Sequence, residues 1–199
     1  MAKRKFISPV TTGDATLRRP GRQPQRSVVL IVCEGDTEAT YFSAVKASYR
    51  NKTTLNVQIK RECSDPFKLV EKAIHLNRHG DYDRVFCVLD GDRPDRVALA
   101  RARIGKRDGL DLVLSTPCFE LWLLLHLVRS DAPFAECAAV CARLREHLPD
   151  YVKGAHYDFD SLMPRIDQAI ENALWLAGLE LNNPATEVHR LLTRLKDHP

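Results

Sequence analysis

Residues 28–35 are VVLIVCEG, and this stretch decides the fold class. Its first six residues are all apolar and mostly β-branched, which is typical of a strand buried on both faces. Such strands belong to parallel sheets that are covered by helices on either side. Glu34 and Gly35 end the strand, and the spacing of apolar residues after them predicts a helix over 36–48, capped by Asp36 or Thr37.

The alternation of strand and helix continues as far as residue 116. Asp65 is predicted to cap the second helix, with Pro66 at its first helical position. This order predicts an α/β fold, in which a mostly parallel sheet with right-handed crossovers is flanked by helices. The further strands are predicted at 55–59, 85–89 and 110–114, of which the first is the most exposed, and the further helices at 66–78 and 94–106.

Beyond residue 116 the strand signals stop, and only helical patterns follow. We therefore predict an α/β domain over 27–116 and a helical C-terminal region over 117–199 that packs on it. Its helices are predicted at 117–129, 134–147, 159–177 and 184–196.

Charge is unevenly distributed along the chain. Of the formal net charge of +4, residues 1–26 contribute +6, from seven basic side chains and one acid, which leaves −2 for the rest. This segment contains Pro9, Pro20 and Pro24 and few large apolar residues, which predicts a flexible basic arm. Such an arm serves either as a solubilising tail or as a nonspecific tether to nucleic-acid phosphate.

The chain is not expected to enter a membrane or an oxidising compartment. Its longest apolar run, 119–128, contains Glu120 and His126 and is shorter than the roughly 20 residues of a membrane span. The N-terminus lacks the apolar segment of a secretory signal, so we expect a cytoplasmic protein. Most of the six cysteines lie in apolar runs and none forms a CxxC pair, so we expect neither a disulfide scaffold nor a structural metal site.

Two of the predicted buried strands end in acidic residues. Glu34 follows the first, and Asp90-Gly91-Asp92 ends the strand at 85–89. Since the carboxyl ends of parallel strands meet at one edge of a sheet, Glu34 and Asp90 are expected within roughly 5–10 Å. Such carboxylates repel one another unless a divalent cation such as magnesium neutralises them. Each motif alone also occurs as a simple turn or a helix cap.

Three motifs extend this pattern to a family resemblance: VCEG at 32–35, STPCFELWLL at 115–124 and NPAT at 183–186. Together they resemble the RloB family, whose members are Toprim-like, are associated with bacterial anti-phage defence and restriction loci, and often occur beside an ATPase partner. The resemblance covers about residues 28–195.

The resemblance implies roles for the three acids. Glu34 matches a glutamate that acts as general acid or base in breaking phosphodiester bonds. Asp90 and Asp92 match an Asp-x-Asp pair that binds magnesium, for which manganese is an alternative. Arg93 follows Asp92 where the Toprim pattern has a further acid. Whether Asp95 substitutes for that acid, and whether the site holds one metal ion or two, therefore stays open.

Several other residues are candidates for the same site. Glu120 is either an additional metal ligand, a residue that orients one, or an acid favoured by the helix dipole. The helix that carries Arg93, Arg96 and Arg101 brings phosphate to the site or is simply a solvated face. Lys153 is a candidate phosphate contact. His126 is predicted to lie in the core and His189 is left without a role.

Two functional hypotheses follow. The first is a magnesium-dependent Toprim-type nuclease that cleaves DNA or RNA in anti-phage defence. The second is a catalytically weak Toprim-like module that binds nucleic acid or an ATPase partner as a sensor or scaffold. A phosphatase of the haloacid dehalogenase type fits poorly, because that family places its Asp-x-Asp after the first strand. The sequence contains no P-loop motif, so we do not expect this chain to hydrolyse ATP. The oligomeric state stays open, and a homo-oligomer is one possibility.

Overall fold

The computed structural model describes residues 27–50, 54–62 and 65–197; the predicted arm at 1–26 lies outside them. Within these ranges a five-stranded sheet has the order β2-β1-β3-β4-β5. Neighbouring strands from β1 to β4 are parallel, and β5 pairs antiparallel with β4 at the edge. The predicted α/β class is confirmed. The strands are β1 (Val28–Cys33), β2 (Asn56–Arg61), β3 (Arg84–Asp90), β4 (Leu110–Thr116) and β5 (Ala185–Thr186).

The three helices that connect the parallel strands follow the predicted pattern. Asp65 caps the second of them, since its carboxylate accepts a hydrogen bond from the backbone N–H of Lys68, and Pro66 is the first helical residue. The predicted cap of the first helix is wrong: Gly35 is its N-cap residue, and no side chain caps it. These helices are α1 (Asp36–Tyr49), α2 (Pro66–His79) and α3 (Pro94–Ile104).

The C-terminal part of the chain differs from the prediction in two ways. The expectation that no strand follows residue 116 is wrong, because β5 extends the sheet and the hydroxyls of Thr186 and Ser115 lie 2.8 Å apart. A strand of two residues has no periodicity that a sequence pattern could show. The long helix predicted at 159–177 is divided into a 3-10 helix and an α-helix. The elements are α4 (Glu120–Leu125), α5 (Cys137–Arg145), the 3-10 helix (Asp160–Arg165), α6 (Ile166–Ala177) and α7 (Val188–Lys196).

The sheet separates two apolar clusters, because successive side chains of a strand point to opposite faces. In β1, Val29, Ile31 and Cys33 pack in the larger cluster with α1 and the C-terminal helices. Leu30 and Val32 pack on the other face, against α2 and α3. The predicted boundary at residue 116 falls at the end of β4, and the division into two domains stays a prediction. None of the helices in the described ranges is both long and apolar enough to cross a bilayer.

Candidate functional site

Glu34 and Asp90 lie together at the carboxyl-end edge of the sheet. Strands β1 and β3 are neighbours, with Cys33 in register with Val88, so the residues that follow them are adjacent. The backbone N–H of Asp90 donates a hydrogen bond of 3.3 Å to Oε2 of Glu34. The two side chains are only 11% and 15% exposed. The proximity expected from the sequence is therefore present, in a largely buried position.

Asp92 lies at the rim of this cluster. Its side chain is 51% exposed, and Oδ1 lies 3.9 Å from Nε of Arg93. Gly91, between Asp90 and Asp92, lies close against the end of β4. Its N–H donates hydrogen bonds to the carbonyls of Ser115 and Pro117. A Cβ at this position would collide with the side chain of Thr116. Glycine is thus required at this turn, and it leaves Asp92 facing solvent beside Asp90.

Glu38 is a site residue that the sequence analysis missed. It lies in the first turn of α1 and is buried, and its carboxylate packs against Gly35, where an added Cβ would lie 2.6 Å from Oε2. Burial, followed by repulsion from Asp90 and Glu120, raises the pKa of Glu38 to about 8. Its position one turn after Glu34 was the signal that could have found it.

Glu34 and Asp90 are also easier to protonate than ordinary carboxyl groups. Burial raises the pKa of Glu34 to about 7, although the Asp90 N–H and Arg93 oppose this shift. Burial likewise raises the pKa of Asp90 to about 6, against the effect of Lys153. Three partly or fully buried carboxyl groups therefore share one small volume with insufficient positive charge.

Lys153 connects this cluster to Glu120. Its Nζ lies 3.0 Å from Oε2 of Glu120 and 3.4 Å from Oδ2 of Asp90. The Glu120 side chain is only 1% exposed, and its other oxygen accepts a hydrogen bond of 2.8 Å from Tyr151. Burial alone would lower the pKa of Lys153, but Asp90 and Glu120 outweigh it and raise that pKa above its ordinary value. The ammonium is therefore charged and faces both carboxylates.

A disulfide joins Cys118 to Cys137 beside this ion pair, with a Cα–Cα distance of 5.6 Å. The expectation that the cysteines stay unpaired is wrong for these two. The segment between α4 and α5 turns back, so that Cys137 lies against Cys118. Among the other described cysteines, Cys33, Cys87 and Cys141 are buried and free.

The three arginines predicted to bind nucleic acid are in different surroundings. Arg93 binds Oε1 of Glu34 at 2.7 Å, so it lies in the site itself. Arg96 is held by two hydrogen bonds of 2.8 Å to Asp65, which lower the pKa of that acid to about 2. Arg101 is exposed on α3. Their role towards nucleic acid stays a prediction.

The two histidines lie apart from the acidic cluster. His126 is buried in the core, where Nε2 lies 3.0 Å from the Tyr41 hydroxyl and Nδ1 lies 3.0 Å from the Trp122 carbonyl. Burial lowers the pKa of His126 to about 4, so it is neutral. His189 is the second residue of α7 and lines a separate cavity with Arg101 and Thr116. Neither histidine touches Glu34 or Asp90 in the described contacts.

The fold and this cluster define a class of protein: an α/β protein whose acidic site lies beyond the carboxyl ends of its parallel strands. The chain belongs to the RloB-like family, because the family model described as RloB-like protein matches residues 29–195. The resemblance drawn from the sequence motifs is thereby confirmed. Neither the curated proteins nor the solved structures include a significant match to the chain.

The raised pKa values predict how pH acts on stability. Glu34, Glu38 and Asp90 have pKa values of about 7, 8 and 6 in the fold, against ordinary values of 4.5, 4.5 and 3.8. Between these limits the folded chain holds protons that the unfolded chain has lost, so rising pH favours unfolding. We expect the melting temperature of the metal-free protein to fall between about pH 5 and pH 8, as measured by differential scanning fluorimetry.

If these carboxylates hold magnesium, the ion should raise the melting temperature mainly at the upper end of this range, where the carboxylates are charged. Glu38→Gln should flatten the pH profile, whereas the exposed Glu171→Gln on α6 serves as the matched control and should leave it unchanged. A wild-type melting temperature that is constant from pH 5 to pH 8 would contradict the prediction.

Proposed function

We propose that this protein is a magnesium-dependent nuclease of the Toprim type, which hydrolyses phosphodiester bonds of DNA or RNA in bacterial anti-phage defence. The observation that carries the proposal is the convergence of Glu34, Glu38 and Asp90, all with raised pKa values, at one edge of the sheet. Arg93 pairs with Glu34, and Lys153 pairs with Asp90. Hard divalent cations prefer such clustered carboxylate oxygens, so the donor set fits magnesium or manganese. Membership of the RloB-like family also supports the proposal, because the resemblance to that family implies a Toprim-like site and a role in anti-phage defence.

Four carboxylates are available to such an ion. Glu34, Asp90 and Asp92 would hold it, with Glu38 behind them. When bound, the ion would polarise the scissile phosphate and stabilise the charge that develops on it. Glu120 is tied to Tyr151 and Lys153, so we assign it the positioning of Lys153 rather than a place among the metal ligands.

Two side chains would act on the substrate. Lys153 carries its charge beside Asp90 and would bind a phosphate oxygen, which favours the more highly charged transition state. Glu34 has a pKa of about 7, so it can both accept and donate a proton near neutral pH. Arg93 holds Glu34 in place through its bond to Oε1.

The remaining parts of the proposal concern partners. Arg101 and the basic residues of the segment 1–26 would attract nucleic-acid phosphate, and this attraction would weaken as salt increases. An ATPase partner, as in the family resemblance, would supply the regulation that a nuclease of the cytoplasm requires.

One observation favours the alternative, a catalytically weak module that binds nucleic acid or an ATPase partner. The carboxylates already have donors within the chain: Arg93 binds Glu34, while Asp90 accepts from the Phe119 N–H at 2.8 Å and faces Lys153. A sensor or scaffold could keep these contacts permanently, whereas a nuclease must exchange some of them for metal and substrate.

Incubation of the purified chain with plasmid, single-stranded DNA and total tRNA tests the proposal. We expect cleavage of at least one substrate with magnesium or manganese, and none with EDTA. Glu34→Gln, purified in the same way, should be inactive, which separates the activity from a contaminating nuclease. Tight binding of a substrate without cleavage under any metal condition would instead support the alternative.

A further inference from the structure

The Cys118–Cys137 disulfide links the acidic edge of the sheet to the first residue of α5. Cys118 directly precedes Phe119, whose N–H binds Asp90, and it is fully buried. Cys137 is partly exposed. A small reagent in solution can therefore reach this pair of cysteines through Cys137.

The sulfur of Cys137 lies within the ion pair of the site. Its Sγ is 3.2 Å from Oε2 of Glu120 and 3.1 Å from Nζ of Lys153. At such a distance a thiol can donate a hydrogen bond to the carboxylate, whereas a disulfide sulfur has no hydrogen to donate. The oxidation state of this sulfur therefore determines how many hydrogen bonds the Glu120 carboxylate accepts.

The number of hydrogen bonds that Glu120 accepts determines how firmly Glu120 holds Lys153. In the disulfide form, the buried Glu120 carboxylate depends on Tyr151 and Lys153 alone. In the dithiol form, the Cys137 thiol adds a third donor, because sulfur and carboxylate are already within reach. Lys153, which already lies 3.4 Å from Asp90, is then held less firmly by Glu120 and is freer to contact a substrate phosphate.

We propose that Cys118 and Cys137 form a reversible regulatory disulfide, made by a peroxide and broken by a small thiol, that lowers the affinity of the site for nucleic-acid phosphate. The inference rests on the proposed nucleic-acid chemistry of the site. Hydrogen peroxide oxidises the Cys137 thiol to a sulfenic acid and releases one water. The Cys118 thiol then attacks that sulfur, the S–S bond forms, and a second water leaves. Two molecules of a small thiol reverse the reaction and leave as their own disulfide.

Thiol labelling and affinity measurements test this switch in the full chain. After treatment with hydrogen peroxide or a reducing thiol, the protein is denatured, alkylated and analysed by peptide mass spectrometry. Cys118 and Cys137 should be alkylated only in the reduced sample, and Cys141 in both. A fluorescent single-stranded oligonucleotide, as DNA and as RNA, should bind about tenfold more weakly to the oxidised chain, which corresponds to about 1.4 kcal/mol.

Two variants make the test specific. Cys137→Ser keeps a hydroxyl donor for Glu120 and cannot form the disulfide, so its affinity for the oligonucleotide should be the same after peroxide as after the reducing thiol. Cys141→Ser replaces the neighbouring buried thiol, whose Sγ is 3.9 Å from that of Cys137, and should stay sensitive to peroxide. Alkylation of both Cys118 and Cys137 after peroxide, or equal affinity of the two forms, would overturn the switch.

The failure of the nuclease proposal has a different signature. If the reduced chain binds the oligonucleotide but cleaves no substrate with any metal, the proposed hydrolysis is wrong. The labelling pattern and the affinity ratio still decide the switch in that case, because neither measurement depends on cleavage.

Discussion

Asp90→Asn is expected to reduce metal-dependent cleavage of nucleic acid by about 10³-fold, the scale at which loss of charge stabilisation in an active site acts. The change removes a negative charge but keeps an oxygen that accepts the hydrogen bond from the Phe119 N–H. Because the pKa of Asp90 is raised to about 6, its charge is unfavourable in the fold at higher pH. We therefore expect the metal-free variant to melt slightly higher than the wild type at pH 8, and magnesium to raise its melting temperature little.

Asp131→Asn is the matched control for this variant. Asp131 is exposed in the segment between α4 and α5, and its replacement should leave cleavage and magnesium stabilisation as in the wild type. Circular dichroism separates a catalytic loss from unfolding. Wild-type cleavage rates in Asp90→Asn would contradict the assignment of this residue to the metal site.

Lys153→Met is expected to lower both stability and activity. Removing one partner of a buried ion pair costs about 3–5 kcal/mol, but Lys153 is 44% exposed and Tyr151 still binds Glu120, so we expect about 2 kcal/mol. For a chain of this size that corresponds to a melting temperature lower by about 4–8 °C. Cleavage should fall by about 10²-fold, because the phosphate contact is lost.

A second substitution separates these two effects. Lys153→Met combined with Glu120→Gln removes the orphaned charge as well, so the double variant should recover most of the lost stability while cleavage stays low. Lys106→Met, an exposed lysine that follows α3, is the matched control and should alter neither property. Recovery of cleavage in the double variant would show that Lys153 acts only by neutralising Glu120.

The part of the site that could be predicted from the sequence is the part that the sheet itself positions. Glu34 and Asp90 end apolar runs that are buried on both faces, and parallel strands bring their carboxyl ends to one edge. Their adjacency depends only on the strand order. The short spacing between Asp90 and Asp92 similarly keeps Asp92 at the same edge.

The residues that were missed, or given another role, depend on tertiary packing. Glu38 is an ordinary acid in the first turn of a helix until the packing of α1 buries it against Gly35. The contacts among Glu120, Cys137 and Lys153 arise where three separate C-terminal segments meet, and no periodicity links those segments. Sequence patterns predict the helices and strands, but they do not predict how the segments between α4 and Lys153 run in space.

The two-residue strand β5 has a consequence for how the chain is made. The edge of β4 pairs with Ala185 and Thr186, which come long after β4 in the chain, and Glu187 accepts a hydrogen bond from the Leu114 N–H. During synthesis on the ribosome, this pairing cannot form until residues 185 and 186 have emerged, and Lys153 also emerges long after Glu34. An incomplete chain therefore carries the acids without their lysine and leaves an open sheet edge, which favours its removal by proteases. Truncation between Lys153 and Ala185 would keep the lysine but leave the same open sheet edge.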